Sequence, residues 1–421
     1  MNYKDCLKRE MKVAFGCTEP IALAYAAAKA REVLGCEPEN IQVELSGNMV
    51  KNANSVYVPG TEGRKGIAIS IAAGALLGDP SKELEVLADI DKEGLSACDK
   101  YIREGRIHVS LKKNVANLYI DVTAYAGDSY AKVVIADGHT NIILIEKDHK
   151  VLFEKSEDEE EELLEAFTFD DIYDYAKTAD LKEFEALLDQ EIEYNTAIAK
   201  EGIDNLWGSG IGRLVLDAHP DDLRERIVAY TAAGSDARMS GAENPVVINS
   251  GSGNQGISIS VPLILYAEDK KLPRETLLRG LLFSNLLGLY QKKNSGKLSA
   301  FCGAVSASSA AACGIAFMKG DDKEVIKETL ANALAVNGGI LCDGAKASCA
   351  MKIASSLRNG FLAYDQAVAG RSFNANDGVV KEDIDETLEV MGNIARYGMK
   401  QTDEVILNEV LGNREYIQEF E

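Results

Sequence analysis

The apolar positions along the chain change their period twice. Residues 1–35 read as helix, interrupted at 16–20 and restarting in the Ala-rich IALAYAAAKAREVL, where Thr18 is placed to cap and Pro20 falls in the first turn. Cys17 is thereby put at a helix amino terminus. Residues 41–45 alternate like a strand and run into SGNMVKNANSVYVPGT, a polar Gly/Asn segment followed by an Ala/Gly-rich helix over 66–77. From 106 to 155 the period falls to two in the short segments IHVSLK, NLYIDVTAYA, SYAKVVIAD, NIILIEKD and KVLFEK, separated by Asn, Asp and Gly turns. That pattern predicts an antiparallel β-meander. Beyond 165 helical periodicity returns, broken by Gly-containing loops at 208–212, 234–241, 251–256, 296–303 and 338–344. Small residues throughout those helices permit close backbone contact, which favours a tightly packed helical domain over a doubly wound sheet.

The expected fold class is therefore α+β, a mainly helical domain with an inserted antiparallel β-rich domain. Residues 1–85 form the first part of the helical domain, 86–160 the insert, and 161–421 the rest. The acidic run SEDEEEELLEA marks the exit from the insert near 160 and reads as a solvated helix start or linker. No internal repeat of fixed period is visible.

Composition narrows the partners. At 421 residues, 46% hydrophobic and 27% charged, the chain can bury substantial cores without staples. Lys+Arg 45 against Asp+Glu 67 gives a net charge of -22, which repels phosphate backbones and anionic lipid surfaces. The expected partners are a small-molecule substrate and, at most, further copies of the chain, with neither nucleic acid nor membrane. MNYKDCLKREMKVAFGC mixes charges throughout and lacks the apolar core of a secretory signal, and no apolar stretch is long enough to span a bilayer. A cytoplasmic location with reduced thiols is expected.

Free thiols make the cysteine pattern informative. Cys342 and Cys349 in GGILCDGAKASC lie seven residues apart, Cys302 in LSAFCGAVSASS precedes them by forty, and small residues surround all three. Paired CxxC knuckles and ligand-like histidines are missing, so structural zinc is disfavoured. Three thiolates suit an iron-sulfur cluster with one iron left open, although buried cysteines that merely fill a core satisfy the same spacing. Cys17, in FGCTEP, is the nucleophile or base candidate, because the positive end of the helix beside it is expected to lower its pKa. Cys313, in SSAAACGIAF, reads as helix core. INSGSGNQGISISVP is Gly-rich and precedes a helix, so its amides can cradle a carboxylate or phosphate. Asn48, Asn52 and Asn54 offer neutral donors and acceptors for a zwitterion, or simply make turns. The four histidines, His108, His139, His149 and His219, show no ligand-like spacing and read as structural or solvated.

Five segments in order, GCTEP, SGNMVKNA, GSGNQGI, FCGAVSAS and LCDGAKASCAMKI, resemble the L-cysteine desulfidase family, which is related to the alpha chain of iron-sulfur L-serine dehydratases. The resemblance runs from about residue 10 to about residue 400. It implies that Cys302, Cys342 and Cys349 hold a [4Fe-4S] cluster whose unique iron takes substrate, that Cys17 takes part in proton transfer, and that the helical part is the catalytic domain. The β-rich insert is similar to the regulatory or accessory domain of related dehydratases. The implied reaction is an α,β-elimination that turns L-cysteine into sulfide, ammonia and pyruvate without pyridoxal phosphate. Ser250, Gly251, Asn254, Asn48 and Asn52 are then the candidates for gripping the amino-acid substrate. Two alternatives stay open: an L-serine dehydratase of the iron-sulfur type, and a noncatalytic cluster protein acting as a redox element or sensor.

Overall fold

A computed structural model describes residues 3–155, 167–296 and 298–411. The acidic run at 156–166, and with it the boundary expected near 160, lies outside the described residues. The fold is α+β. Eight strands are named here in chain order: β1 (Val13–Phe15), β2 (Asn40–Leu45), β3 (Ile107–Leu111), β4 (Tyr119–Ala126), β5 (Ser129–Ala136), β6 (Ile142–Lys147), β7 (Lys150–Glu154) and β8 (Pro245–Val247).

Six of these form one sheet in the order β3-β2-β4-β5-β6-β7. The meander β4 to β7 is antiparallel as its turn residues predict, but β3 pairs with β2 in parallel, Ile41 opposite Ile107. Strand β2, from the first part of the chain, thus lies inside the sheet between β3 and β4. One face of this sheet is covered by the helix Thr18–Leu34, whose Ala-rich sequence is buried almost throughout. Ile41, Val43, Ile120, Val122 and Val133 meet Ile21, Leu23 and Ile71 in that core. The second core is made of helices, with Phe169, Phe283, Leu281, Val305, Ile353 and Leu357 at its centre.

The amino terminus departs from a single interrupted helix. Tyr3–Glu10 is helical, β1 follows, and the helix restarts at Thr18 with Cys17, not Thr18, in the capping position and no side chain capping it. The polar Gly/Asn segment contains a short helix, Gly47–Ala53, whose first turn is capped by Ser46 accepting from Met49 N.

Three tertiary ties bring distant segments together. Strand β1 pairs antiparallel with β8, and the pairing continues as Ile248 N donates to Lys12 O and Ser250 N to Glu10 O, so residues 10–12 run beside 248–250, while Thr18 Oγ1 separately donates to Gly251 O at 2.8 Å. A bridge between Phe301 and Leu341, with Cys342 N donating to Ala300 O at 2.7 Å, joins 300–302 to 341–342. Lys51 Nζ donates to Cys342 O and Lys346 Nζ to Asn54 O, fixing the 342–346 loop to the short helix. All three ties end at one cavity.

Candidate active site

Four helices begin at this cavity. Cys17 occupies the capping position of Thr18–Leu34, Ser252 that of Gly253–Lys270, Cys302 that of Gly303–Lys319, and Cys349 is the first residue of Cys349–Val368. Their unpaired N–H groups and dipoles make the enclosed space favourable to anions. The cavity is small, about 80 Å³, and Cys302, Cys342, Cys349, Asn52, Ser250, Gly251 and Asn254 all line it. The ligand cysteines expected from the resemblance and four of the five expected substrate contacts therefore line one cavity. Asn48 does not: it faces a neighbouring cleft of about 850 Å³, which shares Ser250 and Lys292 with the cavity. Cys17 is also absent from the lining and packs 1% exposed against Cys349, Val56 and Met239.

The three thiols are chemically unequal. A hydrogen bond from the Cys302 thiol to Cys342, helped by Lys51 and Lys292, pulls Cys342 below the ordinary thiol value against the cost of its burial. Cys302, the donor, is held well above it. Cys349 is raised by burial, with Lys346 N–H and Lys352 pulling the other way. A thiolate beside two lysine ammonium groups is the form in which cysteine binds metal. Among the described residues no set of three or more His, Cys, Asp or Glu side chains is arranged to hold a metal ion. The sulfurs instead rim a cavity, and a polynuclear cluster is larger than a single ion. The donor set, the cationic surroundings and the four helix termini fit an anionic iron-sulfur cluster on this rim.

Cys17 corrects one expectation. Burial pushes its thiol up to about 11, outweighing the pull of Arg238 and Lys346, so the helix terminus does not make it a thiolate in the resting site.

Two glycines are required by close approach. Gly251 has φ +77°, and a Cβ there would stand 2.7 Å from the His139 ring; Gly344 has φ +99°, and its Cβ would stand 2.6 Å from Lys51 O. Between Asn249 and Gly251, Ser250 itself holds φ 49°, a strained conformation for a residue with a side chain. The glycine-rich loop is thus pressed onto His139, whose spacing in the sequence gives no sign of a place in the site. His139 is buried in the cavity wall, its Nε2 3.9 Å from Glu19 Oε1. Burial raises the Glu19 carboxyl, but His139 and Arg238 together bring it below its ordinary value, so Glu19 is a buried carboxylate.

Arg238 is the other residue the sequence did not single out. Its guanidinium is 4% exposed, donates to Asn254 Oδ1 at 3.3 Å and Gly16 O at 3.0 Å, and keeps a buried Nε with no partner. A buried guanidinium lining a cavity, with a spare donor, has the chemistry to receive a carboxylate. No helix among the described residues is long and apolar enough to cross a membrane, and all eight cysteines are free.

Comparison with known proteins shows the family of the chain. The model of the family described as serine dehydratase alpha chain matches residues 81–408. A UPF0597 protein of Finegoldia magna is 44% identical over 414 residues, covering 97% of this chain and 99% of that protein. UPF0597 proteins of Lachnoclostridium phytofermentans and Treponema denticola are 43% and 40% identical over 410 and 419 residues, each match covering 97% of this chain and 98% and 97% of those proteins.

Proposed function

The chain belongs to the serine dehydratase alpha chain family, and from that premise we propose that it is a lyase that removes the β-substituent of a small L-amino acid, L-cysteine first. The observation that carries the reading is the arrival of Cys302, Cys342 and Cys349, from two distant segments, on the rim of one small anion-favouring cavity beside a buried guanidinium whose Nε has no partner. Cys302, Cys342 and Cys349 would hold a [4Fe-4S] cluster, which when bound supplies an open iron that acts as a Lewis acid toward the β-substituent.

The remaining work falls to the protein's own groups. Arg238 receives the α-carboxylate, while Ser250, Gly251, Asn254 and Asn52 close around the backbone of the substrate. Asn48 serves from the neighbouring cleft, through its main-chain oxygen, which accepts from Asn52 Nδ2 at 2.8 Å. Cys17, behind the cavity wall against Cys349, takes the α-proton only after its own thiol proton has been lost to solvent, and the positive field of Arg238 and Lys346 lowers the cost of that thiolate. For L-cysteine the products are sulfide and an aminoacrylate that hydrolyses to pyruvate and ammonia.

L-Serine is the second reading, favoured by the family match itself. Oxygen-free assays of both amino acids, with pyruvate and sulfide measured together, separate the two. Sulfide and pyruvate in equal amounts from L-cysteine are expected; pyruvate from L-serine alone defeats the desulfidase reading, and turnover of neither defeats the lyase.

A further inference from the structure

A line of buried amides runs from the helical core to the cavity. Glu191, 0% exposed, accepts from Asn285 Nδ2 at 3.1 and 2.9 Å; Asn285 Oδ1 accepts from Asn249 Nδ2 at 2.9 Å; Asn249 Oδ1 accepts from Gln255 Nε2 at 2.8 Å. Asn249 Nδ2 also reaches Asn285 O at 3.2 Å, and Asn285 Nδ2 also reaches Leu281 O at 3.0 Å. All four residues are fully buried.

The direction of this chain is fixed at its inner end. A neutral carboxyl could donate as well as accept, but the Asn285 NH₂ that donates to Glu191 is also tied to a second acceptor. Leu281 O, an acceptor only, holds that NH₂ in the same place. Each amide then passes its orientation to the next, because an amide that donates with nitrogen on one side offers oxygen on the other. At the outer end Gln255 has its nitrogen committed to Asn249 and its oxygen left over. That Oε1 is buried, has no hydrogen-bond partner, and belongs to a residue lining the cavity. It stands beside the first residue after Cys302, since a Cβ on Gly303 would lie 2.8 Å from it. An acceptor desolvated and left unmatched costs stability unless a ligand supplies a donor.

We infer that Gln255 Oε1 is the receptor for the α-ammonium group of the substrate, held in the accepting orientation by Asn249, Asn285 and Glu191 as positioning residues. With Arg238 on the α-carboxylate, the cavity then offers one donor site and one acceptor site of fixed sense, which selects α-amino acids over carboxylic acids that lack the amine. The inference rests on the amino-acid reading above.

The test uses the cluster-loaded protein without oxygen and compares two ligands: the amino acid that is turned over, and the carboxylic acid of the same length lacking the α-ammonium group (3-mercaptopropanoate for L-cysteine, 3-hydroxypropanoate for L-serine). Gln255→Met fills the space without an acceptor, and Gln255→Glu restores one, its buried carboxyl donating to Asn249 Oδ1 in the protonated form. Gln255→Met is expected to raise KM for the amino acid roughly ten- to hundredfold while leaving the inhibition constant of the amine-free acid unchanged, and Gln255→Glu to recover most of the loss. If both constants rise together, or neither moves, the inference is overturned and Gln255 is a packing residue. Wild-type protein that holds its cluster yet neither turns over nor binds either amino acid overturns the underlying reading before any variant is made.

Discussion

Glu191 anchors the buried amide chain, and its burial has a measurable consequence. The carboxyl is 0% exposed with Asn285 as its polar partner. Burial pushes its pKa from 4.5 to about 8, while Asn285 pulls the other way. A carboxyl whose folded value lies above its unfolded value binds more protons when folded. Its contribution to stability is therefore complete below about 4.5 and is lost as the pH rises through about 8. At 1.36 kcal/mol per pH unit, the span from 4.5 to about 8 is worth at most about 5 kcal/mol. Glu191→Gln keeps the shape and the acceptor for Asn285 but cannot ionise. Denaturant unfolding of both proteins at a series of pH values from 5 to 9 isolates the effect, because other titrations cancel in the difference. Wild type is expected to lose several kcal/mol relative to Glu191→Gln across that range. Stability curves that run parallel would refute the argument that Glu191 is desolvated.

Further outcomes follow from the site. Cys349→Ser should lower iron retention and turnover together, and full turnover with an intact cluster would contradict its place as a ligand. Cys17→Ser should cut pyruvate formation by about 10²-fold or more with iron content unchanged; loss of iron as well would make Cys17 a ligand or folding residue. Arg238→Gln should lower kcat/KM roughly 10- to 150-fold, the worth of about 1.5–3 kcal/mol for a charged hydrogen bond to the substrate carboxylate, and an unchanged value would remove Arg238 from substrate binding. Gly344→Ala places a side chain at φ +99° and 2.6 Å from Lys51 O; it should reduce iron content by displacing the 342–346 loop, and wild-type iron content would show that the loop tolerates the shift.

Much of the fold was legible because it is written in local periods. The helices Thr18–Leu34 and Ile67–Leu77 and strand β2 carry patterns that match their burial, and the turn residues between β4 and β7 mark the antiparallel meander. What was not legible depends on pairing at long range. Strands β1 and β8 are three residues each, too short to show alternation, yet their pairing sets Glu10 beside Ser250 and so holds the glycine-rich loop in place. The parallel partnership of β2 with β3 likewise leaves no local trace. The helix Gly47–Ala53 is hidden by its Gly and Asn content and is held by the Ser46 cap and burial of Met49, Val50 and Lys51.

The site divides the same way. Glycine loops and cysteines beside small residues stand out in the sequence, and they converge. Arg238, Gln255, Glu19 and His139 do not, since each is a single polar residue whose partner lies far along the chain. Arg238 left one usable signal: in TAAGSDARM it is a charge within a run of small residues suited to a buried helix, and a buried charge needs a purpose. The depressed thiol expected at Cys17 failed because a helix terminus acts weakly on a group that burial has removed from water.

The central claim is that Cys302, Cys342 and Cys349 together carry one cluster. The most direct measurement is the iron and acid-labile sulfide content of protein purified and reconstituted without oxygen, beside the serine variants of each of the three cysteines. The account predicts about four irons and about four sulfides per chain in wild type, falling in every variant. A colourless wild-type protein without iron, or variants that keep a full complement, would contradict it.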